Sequence, residues 1–514
     1  MTLPPAVVAP SPGGSADFLI PLAHGVGQST DLPLPLDLVL QAGAATVVLS
    51  FLASALLWRR PRLTHPTERH PRSTWWRRPL QLLVLAISLY LTAAALFGPR
   101  DHNPAAHALF VWLWVGLIPL SVLFGPVWRA LNPIRTLARL LRFPAPAQSA
   151  APASTLGPAP TPGPAPARAS SGPEPAHASS GPEPAHASSG PEPAHASSGP
   201  VPTQASSGPA PAPFVPAAVP VSALTGPPGS VSAPVFAAPV PKTAAGGTAP
   251  AADQPWAAAA GLLAFVWLEL AAPGRTNPLV IGLCIAGYAV VHLALTARHG
   301  ANWPARGDFL EVYSDLAGRL SPLRWRPPLS GLAADHPAGA ARAAFLAIWW
   351  GSTIFDSASG SPAWAGFVQR AGQPLLWSTA GLVAVCGIVF IAVCRLPGRL
   401  DVTNSLIPIA VGYTLAHYLT LLLVEGPRGA LLLVQQWGIA DGATWDVVPD
   451  PHVVSILQVA LILAGHMLGV LAAHDMALAD NPGRPPLAVL ADELPVVLFM
   501  IFCTWAGLFL LFVR

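Results

Sequence analysis

Three acid–base side chains, Glu269, Asp356 and His417, lie within or at the ends of stretches otherwise apolar enough to cross a bilayer. An ionisable group at such depth is costly to insert unless it has a partner or a task. Counting about 1.5 Å per residue from the arginine-rich boundary of each stretch, all three come out roughly 20 Å in, in the outer half of the membrane. Two carboxylates and an imidazole can hold a divalent metal that acidifies a bound water. They can equally take up and release a proton. These three are the candidate catalytic and metal-binding residues. They are expected to converge in one outward-facing pocket, with His24 of the N-terminal segment as an outer lid. Tyr418 and Glu425 lie just above that level, and Asp101, His102 and His107 sit on outer segments.

A secondary polar cluster is expected from Tyr288, His292, Tyr413, Tyr418, His466, His474 and Asp475. His466 shares a helical face with Ser455, Gln458 and Gly469, a small and polar seam suited to close helix contact. Gly-Tyr-x-x-x-His occurs at 287–292 and again at 412–417, in helices expected to run in opposite directions. An inverted repeat of the transporter kind would produce that pattern. Tyr and His hydrogen-bonded within their own helices would produce it as well. His292, His417 and His466 are also candidate ligands for bis-histidine haem.

The elements that carry these groups follow from hydropathy. Hydrophobic residues make up 52% of the 514, charged residues 10%, and mean hydropathy is +0.51, the composition of a polytopic membrane protein. The expected fold is an all-α transmembrane bundle of about ten spans. Residues 1–35 form an extracytoplasmic N-terminal segment with no Lys or Arg, unlike a cleaved secretory signal. Residues 36–128 form a first membrane block with three spans, 36–58, 79–97 and 108–128. Residues 129–255 form a cytoplasmic linker, and residues 256–514 a second block with seven spans, 256–272, 278–297, 343–355, 375–394, 404–424, 452–474 and 494–513.

Threaded alternately, every Lys and Arg except Arg100, Arg275, Arg370, Arg428 and Arg514 falls on one side, which the positive-inside rule makes cytoplasmic, and both termini fall outside. The localisation expected is therefore a multi-pass cell-membrane protein. From about Pro144 to Asp253 the chain turns to Pro, Ala, Ser and Gly, with S-S-G-P-E-P-A-H-A repeated from Ser170, Ser179 and Ser188. Such a segment cannot bury enough apolar surface to fold and reads as a disordered tether, although His177, His186 and His195 recur with the repeat. Phe309, Val312, Leu316 and Leu320 predict a short amphipathic helix lying on the inner leaflet. Trp58, Trp75, Trp76 and Trp128 read as interfacial belt residues.

Several classes are disfavoured. Net charge is only +3 and Lys242 is the sole lysine, so nucleic acid is not an expected partner and a phosphate-gripping or Schiff-base lysine has almost no candidate. P-loop, G-x-G-x-x-G, H-E-x-x-H and G-x-S-x-G signatures do not occur. A nucleotide is not an expected partner either. Cys284, Cys386, Cys394 and Cys503 have no Cys-x-x-Cys spacing and read as small core residues. The expected partners are the lipid bilayer and an apolar small molecule.

The runs A-H-G-V-G-Q-S-T-D-L-P-L-P at 23–35, W-R-A-L-N-P-I-R-T at 128–136, F-V-W-L-E-L at 265–270, E-V-Y-S at 311–314, G-S-T-I-F-D-S at 351–357, G-Y-T-L-A-H-Y at 412–418 and G-H-M-L-G-V-L-A-A-H-D at 465–475 carry a resemblance. Together they resemble bacterial, mostly actinobacterial, membrane proteins labelled fenitrothion hydrolase. The resemblance covers both membrane blocks and skips the linker. It implies hydrolysis of an organophosphate aryl ester, with no catalytic residues assigned. Where that family tends to read F-D-G, this chain has Phe355-Asp356-Ser357, which keeps the acid and removes the glycine of a tight turn. The residues themselves leave open a proton- or metal-coupled small-molecule transporter, a haem-binding membrane protein and a membrane assembly scaffold.

Overall fold

In lipid, a chain can satisfy its backbone amides only within helices or a closed barrel, and this sequence takes the first course. The computed structural model describes Leu32 and residues 35–63, 66–68, 75–142, 255–336, 338–398, 400–484 and 486–512. His24, the nonapeptide repeats and their histidines lie outside the described residues.

The first block contains α1 (Leu36–Leu57), the two-residue strand β1 (Thr67–Glu68), α2 (Arg77–Phe97) and α3 (His107–Phe124), whose first ten residues wind as a π-helix. Two short helices follow, α4 (Val127–Leu131) and α5 (Pro133–Leu140). The second block begins with α6 (Trp256–Leu270), α7 (Pro278–His299) and α8 (Phe309–Ala317). Strand β2 (Trp325–Arg326) pairs antiparallel with β1. Then come α9 (Ala340–Ser359), α10 (Pro362–Ala371), α11 (Pro374–Arg395), α12 (Ile407–His417), α13 (Leu419–Gln435), α14 (Pro451–Asp480) and α15 (Pro486–Phe512).

Each apolar stretch of the sequence is helical. Among the described residues, α1, α2, α3, α7, α11, α14 and α15 from Ala491 are long and apolar enough to cross a membrane. Residues 403–435 make an eighth span, bent by 62° between α12 and α13. By length and apolarity alone, seven or eight of the described helices qualify. Helix α6 has only 15 residues, and α9 carries Ser352, Thr353, Asp356 and Ser357 toward its neighbours. The centre of the bundle is close-packed where glycines permit it. A Cβ on Gly412 of α12 would stand 2.5 Å from the Leu461 carbonyl of α14, and one on Gly465 the same distance from the Pro408 carbonyl. These backbones therefore touch directly.

Three expectations change. Helix α8 does not lie on the surface: Phe309 to Ser314, Leu316 and Ala317 are buried. The Tyr313 ring stacks on Trp114 at 4.8 Å and meets Trp349 at 4.4 Å. The physical reason is that the acids of α8 are answered by protein groups. Asp308 accepts from Trp128 Nε1 (3.1 Å) and Asn132 Nδ2 (2.8 Å), while Glu311 accepts from Arg135 Nε (2.7 Å) and Nη2 (2.6 Å) and from Arg129 Nε (3.3 Å). With its charges paired, the helix does not need water.

Trp128 is accordingly a buried donor rather than a belt residue, and Trp58 donates to Asp475 at 2.6 Å. Cys284 and Cys394 are exposed on helix surfaces, whereas Cys386 and Cys503 are buried. At Asp356-Ser357, where the glycine of a tight turn is missing, α9 runs on to Ser359, in keeping with the sequence.

Candidate functional site

The bend at Tyr418 positions the chemistry. Helix α12 ends at His417, Tyr418 takes a non-helical conformation, and α13 leaves at 62°. His417 therefore projects from the last turn of a broken helix into the interior, opposite the C-terminal turns of α9. His417 Nε2 lies 2.8 Å from Asp356 Oδ2, with the ring 1% and the carboxylate side chain 13% exposed. Tyr418 donates its hydroxyl to the same Oδ2 at 3.0 Å. On the other side of the ring, Nδ1 is 3.1 Å from Ser357 Oγ, which is 3.0 Å from the Tyr413 hydroxyl. One floor of this group is Trp349, whose indole donates to Thr414 Oγ1 at 3.0 Å.

With Nε2 donating to the carboxylate, the neutral ring accepts from Ser357 at Nδ1. The result is a continuous chain of exchangeable protons, Tyr413, Ser357, His417, Asp356 and Tyr418. Its partly exposed member is the carboxylate. Glu269 of α6 stands within electrostatic reach of Asp356, Arg275, Tyr313 and Tyr418, and its Oε2 is buried without a hydrogen-bond partner. It sits beside the pair, held close enough for its charge to act on Asp356.

No three His, Cys, Asp or Glu side chains converge as a ligand set among the described residues. His417 has both ring nitrogens engaged, one by Asp356 and one by Ser357. Of the other haem candidates, His466 binds the Ile462 carbonyl through Nδ1 at 2.8 Å, and His292 lies against Tyr288 with ring centroids 4.2 Å apart.

The remaining polar residues divide among separate places. Tyr288 bonds Asp308, joining the α8 clamp instead of the His417 site. His474 meets Glu493 at 2.9 Å and the Trp58 carbonyl at 3.0 Å, and Asp475 accepts from the Arg62 and Leu63 amides at 2.6 and 3.0 Å. That group fastens the end of α1 to α14. His107 pairs with Glu425 at 3.0 Å, and Glu425 also holds Arg428. The two Gly-Tyr-x-x-x-His motifs serve different neighbours, Asp308 for Tyr288 and Ser357 for Tyr413, and Gly287 faces open space where Gly412 packs on backbone.

Ser357, Trp349 and Thr414 were not legible as site residues, since a hydroxyl or indole within an apolar run is usually packing. The one usable signal was Ser357 following an intramembrane acid. Asn132 precedes Pro133 at N1 and its side chain caps α5.

No protein-family model, curated protein or solved structure matches this chain.

Proposed function

We propose that this integral membrane protein binds and exchanges a proton at Asp356–His417 and couples that exchange to movement of a small molecule through the bundle. The observation that carries this proposal is the ionisable pair at the break of a bent membrane helix, 2.8 Å apart and nearly withdrawn from solvent. Ionisable groups inside a bundle mark proton and substrate paths, and broken helices at mid-membrane form the sites of many carriers. With a neutral ring facing the carboxylate, the pair carries one negative charge, and a proton taken up by it makes it net neutral, so its charge state changes by one unit within a low-dielectric interior. In this proposal the arginine-rich ends face the cytoplasm of the cell membrane and Asp356 opens toward the outside.

The test is electrical. Purified protein in liposomes adsorbed on a supported membrane is given a pH jump. A transient charge displacement is expected in the wild type and not in D356N or H417A. Equal currents in all three would overturn the proposal.

A second function is favoured by one specific observation, the unbroken Ser357–His417–Asp356 connection. It agrees with the organophosphate hydrolysis implied by the resemblance. Ser357 and His417 are 2% and 1% exposed, so the partly exposed Asp356 carboxylate, held by His417, would act as base toward a water. Water oxygen bonds to phosphorus, the P–O-aryl bond breaks, and the proton taken by the pair is returned to the departing aryloxide. Release of the phenol from fenitrothion by protein in detergent, with no gradient present, would favour this function over carriage. No release under those conditions would remove it.

A further inference from the structure

At the arginine-rich end, away from His417, α2, α4, α5 and α7 surround a cavity of about 1000 Å³. Its walls are apolar, formed by Leu80, Leu120, Phe124, Leu131 and Leu323. Leu120, Phe124 and Leu323 are also exposed on the outer surface, so the cavity continues into a face that lipid would cover. Its rim is cationic, with Arg77, Arg129, Arg135, Arg139 and Arg324.

These arginines are not equivalent. Arg129 and Arg135 share Glu311, and Arg324 pairs with Glu68 at 2.8 Å and Asp315 at 3.0 Å. Arg77 and Arg139 have no carboxylate partner among the described residues. Arg139 instead donates to Gln81 Oε1 at 3.0 Å and to Thr136 Oγ1 at 3.2 Å. Gln81 follows Arg77 by four positions in α2, so both point the same way and the two guanidiniums share one rim. Five guanidiniums thus stand against three carboxylates, with the excess facing an apolar chamber.

We infer that this cavity binds an anionic glycerophospholipid, with its phosphate on Arg77 and Arg139 and an acyl chain between α2 and α4. A soluble anion would satisfy the arginines and leave the walls empty, whereas a neutral lipid would fill the walls and leave the arginines unpaired. The volume falls at the upper end of that usual for small-ligand sites, and arginines beside an inner leaflet are the ordinary means of selecting anionic headgroups.

Native mass spectrometry of the detergent-purified protein, titrated with phosphatidylglycerol or phosphatidylcholine, tests this inference. Retention of phosphatidylglycerol should exceed that of phosphatidylcholine by about tenfold. R77Q/R139Q should abolish the preference, and R77K/R139K should keep part of it. If the double variant does not accumulate, R77Q alone decides, because Arg77 is half-buried and makes no ion pair to lose. Equal retention of both lipids, or a preference that survives loss of both arginines, would overturn the site. Displacement by glycerol phosphate as effective as by the intact lipid would also overturn it, making this a site for a soluble anion.

Discussion

Gln458 of α14 donates its amide to the carbonyl of Ala416 at 2.9 Å, one residue before His417. A continuous helix would satisfy that carbonyl from the amide four residues on, but the bend at Tyr418 removes the regular partner. The side chain of a neighbouring helix takes its place, and the break that presents His417 to Asp356 is held open in the membrane interior. Gln458→Leu should leave a buried carbonyl without a donor, at a cost of about 1–3 kcal/mol. A lower melting temperature in detergent, together with a weakened pH-jump response, is expected. An unchanged melting curve would mean that α12 and α13 stay bent without this bond.

Loss of His417 or Asp356 is expected to separate function from folding. H417A should lower whichever activity is assayed by about a hundredfold or more, the range of acid–base contributions. D356N keeps a hydrogen-bonding group opposite the ring and should accumulate in the membrane near wild-type amounts while losing proton exchange. If D356N retains full exchange, the carboxylate serves only to orient the ring.

The α8 clamp predicts a stability effect far from the site. Glu311 is completely buried and answers both Arg129 and Arg135, so Glu311→Gln leaves Arg135 without a carboxylate partner, while Arg129 keeps Asp315 at 3.7 Å. Breaking a fully buried pair from one side costs about 3–5 kcal/mol, and the partial exposure of both arginines brings the expected cost below that range. Thermal unfolding should show a drop, and limited proteolysis should open the 300–335 region. A melting temperature within a degree or two of wild type would contradict the clamp.

Close packing of α12 on α14 makes glycine substitution position-dependent. Gly412→Ala and Gly465→Ala each drive a Cβ to 2.5 Å from a facing carbonyl, where only backbone could yield. Overpacking of this kind costs about 1–3 kcal/mol. Gly287→Ala, with open space around it, should be neutral or slightly stabilising. Melting temperatures of the three variants compare these directly.

His336, outside the spans, supplies a pH dependence. Its hydrogen bond to Asp480 at 3.1 Å, with the charges of Asp480 and Asp401, raises its pKa above the ordinary histidine value despite partial burial. A raised folded-state pKa means that the charged form is favoured on folding. The contribution is therefore full below the unfolded value near about 6.5 and is lost as pH rises through the folded value. His336→Gln should destabilise most at mildly acidic pH, with the difference from wild type shrinking as the buffer becomes alkaline. A difference that grows with pH would reverse the sign and exclude the ion pair as its cause.

The sequence by itself determined the class of molecule and the placement of its helices. An 18-residue apolar window has few options in lipid other than a helix, and that constraint is local, so α1, α2, α3, α7, α11 and α14 stand close to where hydropathy put them. Local information also brought Asp356 and His417 to a common depth, because rise per residue is fixed. Tertiary structure alone decided which groups meet at that depth. A bend at Tyr418 turned the His417 ring so that Ser357 reached one nitrogen and Asp356 the other, while Glu269 remained beside the pair. It also decided that α8 enters the bundle, since the amphipathic pattern of Phe309–Ala317 cannot reveal that Asp308 and Glu311 find Trp128, Asn132 and Arg135 some 175 residues away in the chain. Hydropathy measures the cost of leaving water for one residue at a time, whereas the partners that offset this cost come from elsewhere in the fold.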